Sequence, residues 1–65
     1  MDKKVSEILN ENKFRADYMT FRSVDDAFRY IQGRIDSIIE LNLISEDEVK
    51  QLYSINDKLY YEFRN

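Results

Sequence analysis

Acidic side chains at helical spacing are the groups in this 65-residue chain best placed to do chemistry, and they fall in two places. Asp36 and Glu40 stand at i and i+4, the spacing at which two carboxylates share one helix face and can contribute to a metal or acid/base site. Glu46, Asp47 and Glu48 form the second group. A pair such as Asp36 and Glu40 is ordinarily a solvated face, and the triplet lacks the glycine and alternating ligands of a calcium-binding loop. The chain has no His and no Cys, so the commonest general base, nucleophile and transition-metal ligands are missing together. It also has no glycine-rich phosphate cradle. The expectation is a protein that is not an enzyme, with no metal and no cofactor.

The acidic triplet has a simpler role at the start of a helix. Ser45 can accept from the Glu48 N–H while the Glu48 carboxylate reaches back to the Ser45 N–H, and Ile44 can clasp Val49, so a capping box and a hydrophobic staple coincide. Each of the three carboxylates contributes roughly 0.3–1 kcal/mol against the positive end of the helix dipole when exposed. Val49, Leu52, Tyr53, Asn56, Leu59, Tyr60 and Phe63 then mark one face of a helix over 45–63. A second start lies at Ser23, an N-cap followed by Asp25 and Asp26 in the first turn. Val24, Phe28, Ile31, Ile35 and Ile38 form a near-heptad seam along a helix over 23–41, with Ala27 and Ile39 widening the stripe. Gly33 lies roughly opposite Ile31 and costs about 1 kcal/mol relative to Ala; it is either neutral or marks a close approach to the backbone. Asn42 can take the left-handed conformation that ends helices. Two helices of about eighteen residues, each about 27 Å long, should therefore fold back as an antiparallel hairpin.

The N-terminal segment, 1–22, is less regular. Asp2 is a candidate cap for a first helical stretch with Val5, Ile8 and Leu9 at helical spacing. Asn10-Glu11-Asn12-Lys13 interrupts that pattern. Phe14, Tyr18 and Phe21 resume at i, i+4 and i+7 with Met19 beside them, as a second short helix or a continuation of the first to about Arg22. This segment covers the open side of the hairpin, or two hairpins pair across a two-fold axis.

Composition limits the answer further. With no Cys, no Pro, no Trp and a single Gly, the chain is neither a disulfide scaffold nor a zinc module. It makes one domain, 1–65. A chain this short buries only about 60% of its unfolded surface, so a partner or a second copy often supplies part of its stability. Met1-Asp2-Lys3-Lys4-Val5 leads at once into Ser6, Glu7, Asn10 and Glu11 with no apolar signal core, and no apolar run approaches a membrane span. Together with the absence of cysteine, which fits a reducing compartment, this gives the expectation of a cytoplasmic protein with no membrane contact. The formal charge of -3 is uneven: residues 1–34 carry seven basic and six acidic side chains, residues 35–65 three basic and seven acidic. Phosphate contacts need a basic face, and only Lys13, Arg15, Arg22, Arg29 and Arg34 could form one. Direct nucleic-acid binding is therefore not expected.

The five Tyr and four Phe residues are the more informative excess. Tyr53, Tyr60, Tyr61 and Phe63 crowd the last helix. A core accounts for three of them, but Tyr61 falls off the seam. Tyr is enriched at binding surfaces because it is amphipathic and loses little entropy on ordering, which makes Tyr61 a candidate partner-binding residue.

Ile44-Ser45-Glu46-Asp47-Glu48-Val49, followed by Leu52-Tyr53-Ser54 and Asp57, resembles a Leu-Ser-Asp-x-Glu-Leu run leading into Tyr-Ser-x-x-Asp. Upstream, Asp17-Tyr18-Met19 and Phe21-Arg22 resemble Asp-Tyr-Leu and Leu/Phe-Arg, and Ser23-Val24-Asp25 resembles Thr-Ile-Asp. In this order, over roughly Asp17 to Phe63, these stretches are similar to the Hha/YmoA family of small helical proteins that modulate nucleoid-associated silencing by binding H-NS. The match takes a deletion near Arg22 and added residues in the helix ending near Leu41. The resemblance implies acidic contacts to basic residues of an H-NS-like partner at Asp25 and Asp57, with Glu46 as a third. The family's dense Arg cluster is thinned here to Arg15 and Arg22, its Cys is absent and its Trp-containing tail is missing, so what carries over is protein contact rather than DNA contact.

The expectation is thus an all-α domain with an N-terminal helical segment, 1–22, packed on a hairpin of 23–41 and 45–63. Its expected function is binding: a small regulator that docks an acidic and aromatic helical surface, Asp25, Glu46, Asp57 and Tyr61, on a larger protein, most specifically an H-NS-like one. The alternatives are a phage or mobile-element protein that inhibits or redirects another host protein, and a structural helical homodimer.

Overall fold

Three side chains set where the helices begin. A computed structural model describes residues 3–65, with α1 (Lys3–Ile8), α2 (Glu11–Thr20), α3 (Val24–Glu40) and α4 (Glu46–Arg64). Ser45 accepts from the Glu48 N–H at 3.3 Å, while its own N–H and hydroxyl donate to the Glu48 carboxylate at 3.2 and 2.9 Å, so the capping box at the start of α4 is complete. Ser45→Ala should cost about 0.5–2 kcal/mol, read as a lower urea midpoint; an unchanged midpoint would mean that this cap does not hold the helix start. Ser23 caps α3 through its hydroxyl alone, accepting from the Asp26 N–H at 3.1 Å.

Asn10 resolves the interruption near the N-terminus. Its Oδ1 accepts from the Lys13 N–H at 3.0 Å and its Nδ2 donates to the Ser6 carbonyl at 2.6 Å. One side chain thereby closes α1 and opens α2, so the two are separate helices and not one continuous helix. The candidate cap at Asp2 lies outside the described residues. At its other end α2 stops at Thr20, short of the expected Arg22, because the backbone must already be extended to present Ser23 as the next cap. Phe21 is extended (φ -71, ψ 152) and leaves the row of Phe14 and Tyr18 to pack on Tyr30, with ring centroids 5.0 Å apart. Met19 faces solvent.

The hairpin turn is fixed from both sides. Asn42 is left-handed at φ 56; its N–H donates to the Ile39 carbonyl at 2.9 Å, and the Leu43 N–H donates to the Ile38 carbonyl at 3.4 Å. These are the two bonds of a Schellman motif, which satisfy carbonyls that the end of α3 would otherwise leave open.

α3 and α4 pack on each other, and α2 packs on both, so the open side of the hairpin is covered within a single chain. Phe14 and Tyr18 of α2 join Val5 and Leu9 over a buried layer of Ala27, Ile31, Ile35, Leu52 and Leu59. Ala27 widens the α3 stripe as expected, but Ile39 does not: it is 40% exposed, because in the last turn of α3 it meets the open groove at the first turns of α4, lined by Glu46, Val49 and Lys50. Gly33 also differs from one of its two readings. A Cβ there would meet nothing within 4 Å, so no close approach requires glycine. Gly33→Ala should raise stability by about 0.5–1 kcal/mol by removing the helix penalty; a lower thermal midpoint would contradict this.

Candidate partner-binding face

The antiparallel register places the start of α3 beside the end of α4 and lets two tyrosines of α4 reach two aspartates of α3. The Tyr60 hydroxyl donates to the Asp25 carboxylate at 2.9 Å, and the Tyr53 hydroxyl donates to Asp36. A hydrogen bond to a carboxylate favours the protonated phenol. It is the chief reason that the Tyr53 hydroxyl is pushed up to about 12 and that of Tyr60 is also raised. Asp36 is thus engaged across the hairpin, while Glu40, its i+4 neighbour, is exposed. Among the described residues no group of three or more acidic side chains gathers where it could hold a metal ion.

Tyr60 is the centre of the face. Its ring packs on Phe28 at 4.9 Å, the Arg64 guanidinium lies 5.9 Å from its centroid, and Tyr61 meets it edge-on at 5.6 Å and 80°. Tyr61 itself is 61% exposed, so it is a free aromatic surface with a braced ring behind it. Asp57 is exposed one turn before Tyr61 on the same helix. Asp25, Asp57 and Tyr61 therefore gather at one end of the hairpin. Glu46 does not join them. It precedes Asp57 by about 16 Å along the α4 axis at the usual helical rise, and it lines a shallow groove with Ile39, Val49 and Lys50. The predicted set is divided between the two ends of a molecule 32 Å long.

The basic residues that could have formed a phosphate-binding face are also divided. Arg15 pairs with Glu62 and, at 3.3 Å, with Glu11; Glu11 in turn takes Lys58 at 3.1 Å. This network ties α2 to α4, and its hydrogen bonds, that of Lys58 first, hold the Glu11 carboxyl below its usual value. Arg34 instead lies over the Tyr30 ring, 5.5 Å from its centroid, on the flank where Phe21 packs.

The helical spacing of Tyr60 places it on the core seam and does not show its contact with Asp25. Tyr53 and Tyr60 are two turns apart on α4 and Asp25 and Asp36 three turns apart on α3, so no shared spacing announces the contact in the sequence. It becomes legible only once the hairpin register pairs the helices. No helix among the described residues is long and apolar enough to cross a membrane. No family model matches the chain, and no curated protein or solved structure is similar enough to it to count as a match.

Proposed function

We propose that this chain is a small non-enzymatic regulator that docks its Asp25–Asp57–Tyr61 face on a larger, basic protein. The reading rests on one observation: an exposed aromatic, Tyr61, is backed edge-on by Tyr60 and flanked by two carboxylates at the same end of the hairpin. Tyr is a frequent anchor at the centre of protein interfaces, and flanking charges steer a complementary partner and set register. The resemblance noted in the sequence supplies the specific partner, an H-NS-like nucleoid protein, and with it the role of altering gene silencing.

The test is a pull-down from bacterial lysate with the tagged chain at moderate salt, the bound proteins being identified by mass spectrometry. The expected result is an H-NS-like protein as the dominant species. Asp25→Asn/Asp57→Asn should weaken that complex by about tenfold or more at low salt, through loss of charge complementarity, with helicity unchanged. Binding that survives intact, or helicity that collapses, would remove these residues from the interface. A different single host protein would replace the regulator with an inhibitor of that protein, and recovery of the chain alone would favour the homodimer.

A further inference from the structure

The turn of the hairpin carries aliphatic side chains where connecting segments are ordinarily polar. Leu41 is 65% exposed, Leu43 44% and Ile39 40%; Leu41 and Leu43 lie in the connection between α3 and α4, and Ile39 and Val49 contribute the apolar walls of a groove beside it. Single exposed apolar residues need no explanation, whereas three within five residues at one tip mark an interaction surface. The group is also held in place. The Schellman bonds of Asn42 and Leu43 fix it on one side and the Ser45–Glu48 capping box on the other. A surface already ordered loses little entropy when covered, which is the condition under which apolar contact becomes affinity.

The charge around the tip says what covers it. Glu40 stands in the last turn of α3, which contains no basic residue, and Glu46 lines the groove with Asp47 beside it, all three exposed. Among the described residues that line the groove, Lys50 is the one cation. An anionic membrane surface would be repelled by such a rim. A second copy in a two-fold contact would bring an identical acidic rim against it.

We propose that the hairpin tip docks a basic amphipathic segment of a partner protein, whose aliphatic face covers Ile39, Leu41 and Leu43 while its Lys or Arg residues reach Glu40 and Glu46. This site is separate from the Asp25–Asp57–Tyr61 face and does not rest on the reading given to that face. It assigns Glu46 a role at the end of the molecule where the fold places it.

The proposal is tested by titrating the ¹⁵N-labelled chain with a helical model peptide of leucine and lysine in amphipathic order. Amide shifts should centre on residues 39–50. Leu41→Ser/Leu43→Ser should weaken binding by about tenfold or more, Glu40→Gln/Glu46→Gln by about threefold with a flatter salt dependence, and Asp25→Asn/Asp57→Asn should change nothing. Because both leucines are exposed, the serine variant should keep the parent's unfolding midpoint; if it does not, the shift map on the unsubstituted chain decides alone. Shifts centred on the Asp25–Asp57–Tyr61 end, no binding, equal binding of the leucine/glutamate peptide, or a dimer that the serine variant abolishes would each overturn it.

Discussion

Phe14→Ala should remove most of the stability of this domain. Phe14 is 1% exposed and the largest of the fully buried side chains, and truncating a buried Phe costs about 3–5 kcal/mol through lost transfer energy and the cavity left behind. A single core of this size supplies only roughly 3–5 kcal/mol in total. The variant should therefore show a large unfolded population by far-UV circular dichroism at 25 °C, with a urea midpoint near zero. Met19→Ala, on the same helix but 74% exposed, should stay within about 0.5 kcal/mol of the parent. The contrast tests whether α2 is part of the core or only attached to it. A Phe14→Ala chain as stable as Met19→Ala would mean that the hairpin stands without its cover.

The second large effect concerns Asn56, the one buried polar side chain among the described residues. Asn56 is 0% exposed and joins all three longer helices: its Oδ1 accepts from the Tyr18 hydroxyl at 2.6 Å, and its Nδ2 donates to the Phe28 carbonyl at 3.2 Å. The Tyr18 hydroxyl also lies 3.2 Å from the Asn56 carbonyl. Removing one partner from a buried pair leaves the other unsatisfied, at about 1–3 kcal/mol, whereas replacing both by apolar groups of similar shape can be nearly neutral. Tyr18→Phe and Asn56→Leu should each lower the urea midpoint, and the double variant should lose less than the sum of the two. A coupling of about 0.5–3 kcal/mol is expected for groups in one network; additivity within about 0.3 kcal/mol would show that the hydrogen bond contributes nothing specific.

The same pair has a signature in alkali. Burial, more than the nearby Asp57 and Tyr60, pushes the Tyr18 hydroxyl from 10.0 to about 12. A proton is thus held more tightly in the folded state than in the unfolded one. The stability tied to the neutral phenol is fully present below pH 10 and is lost as pH rises from there through about 12. Tyr18→Phe should remove that part of the alkaline loss, while Tyr53 and Tyr60, raised by their aspartate partners, retain theirs.

Features whose causes lie within one helical turn are written in the residues themselves. Ser23 and Ser45 are caps because a hydroxyl reaches the N–H three residues on, and Asn42 ends α3 because a short amide side chain tolerates the left-handed region. The two long seams were legible because apolar residues recur at the helical period. Even the stop of α2 at Thr20 is local, set by the extended backbone that Ser23 needs, although the i, i+4, i+7 row through Phe21 masked it. Asn10 was obscured in a similar way, by three polar neighbours that could equally have filled a loop.

Which faces meet is set by the packing of the helices. Ala27 and Ile39 both widen the α3 stripe by their spacing, yet Ala27 is fully buried and Ile39 is left to the groove. Tyr60 finds Asp25 and Asn56 finds Tyr18 across 35 and 38 residues of sequence, distances over which spacing carries no register. The division of Asp25, Asp57 and Tyr61 from Glu46 has the same origin. Hydrogen-bond reach is a few ångströms, so a cap is written beside its helix, while a surface assembled from two helices exists only after packing has fixed their order and slide.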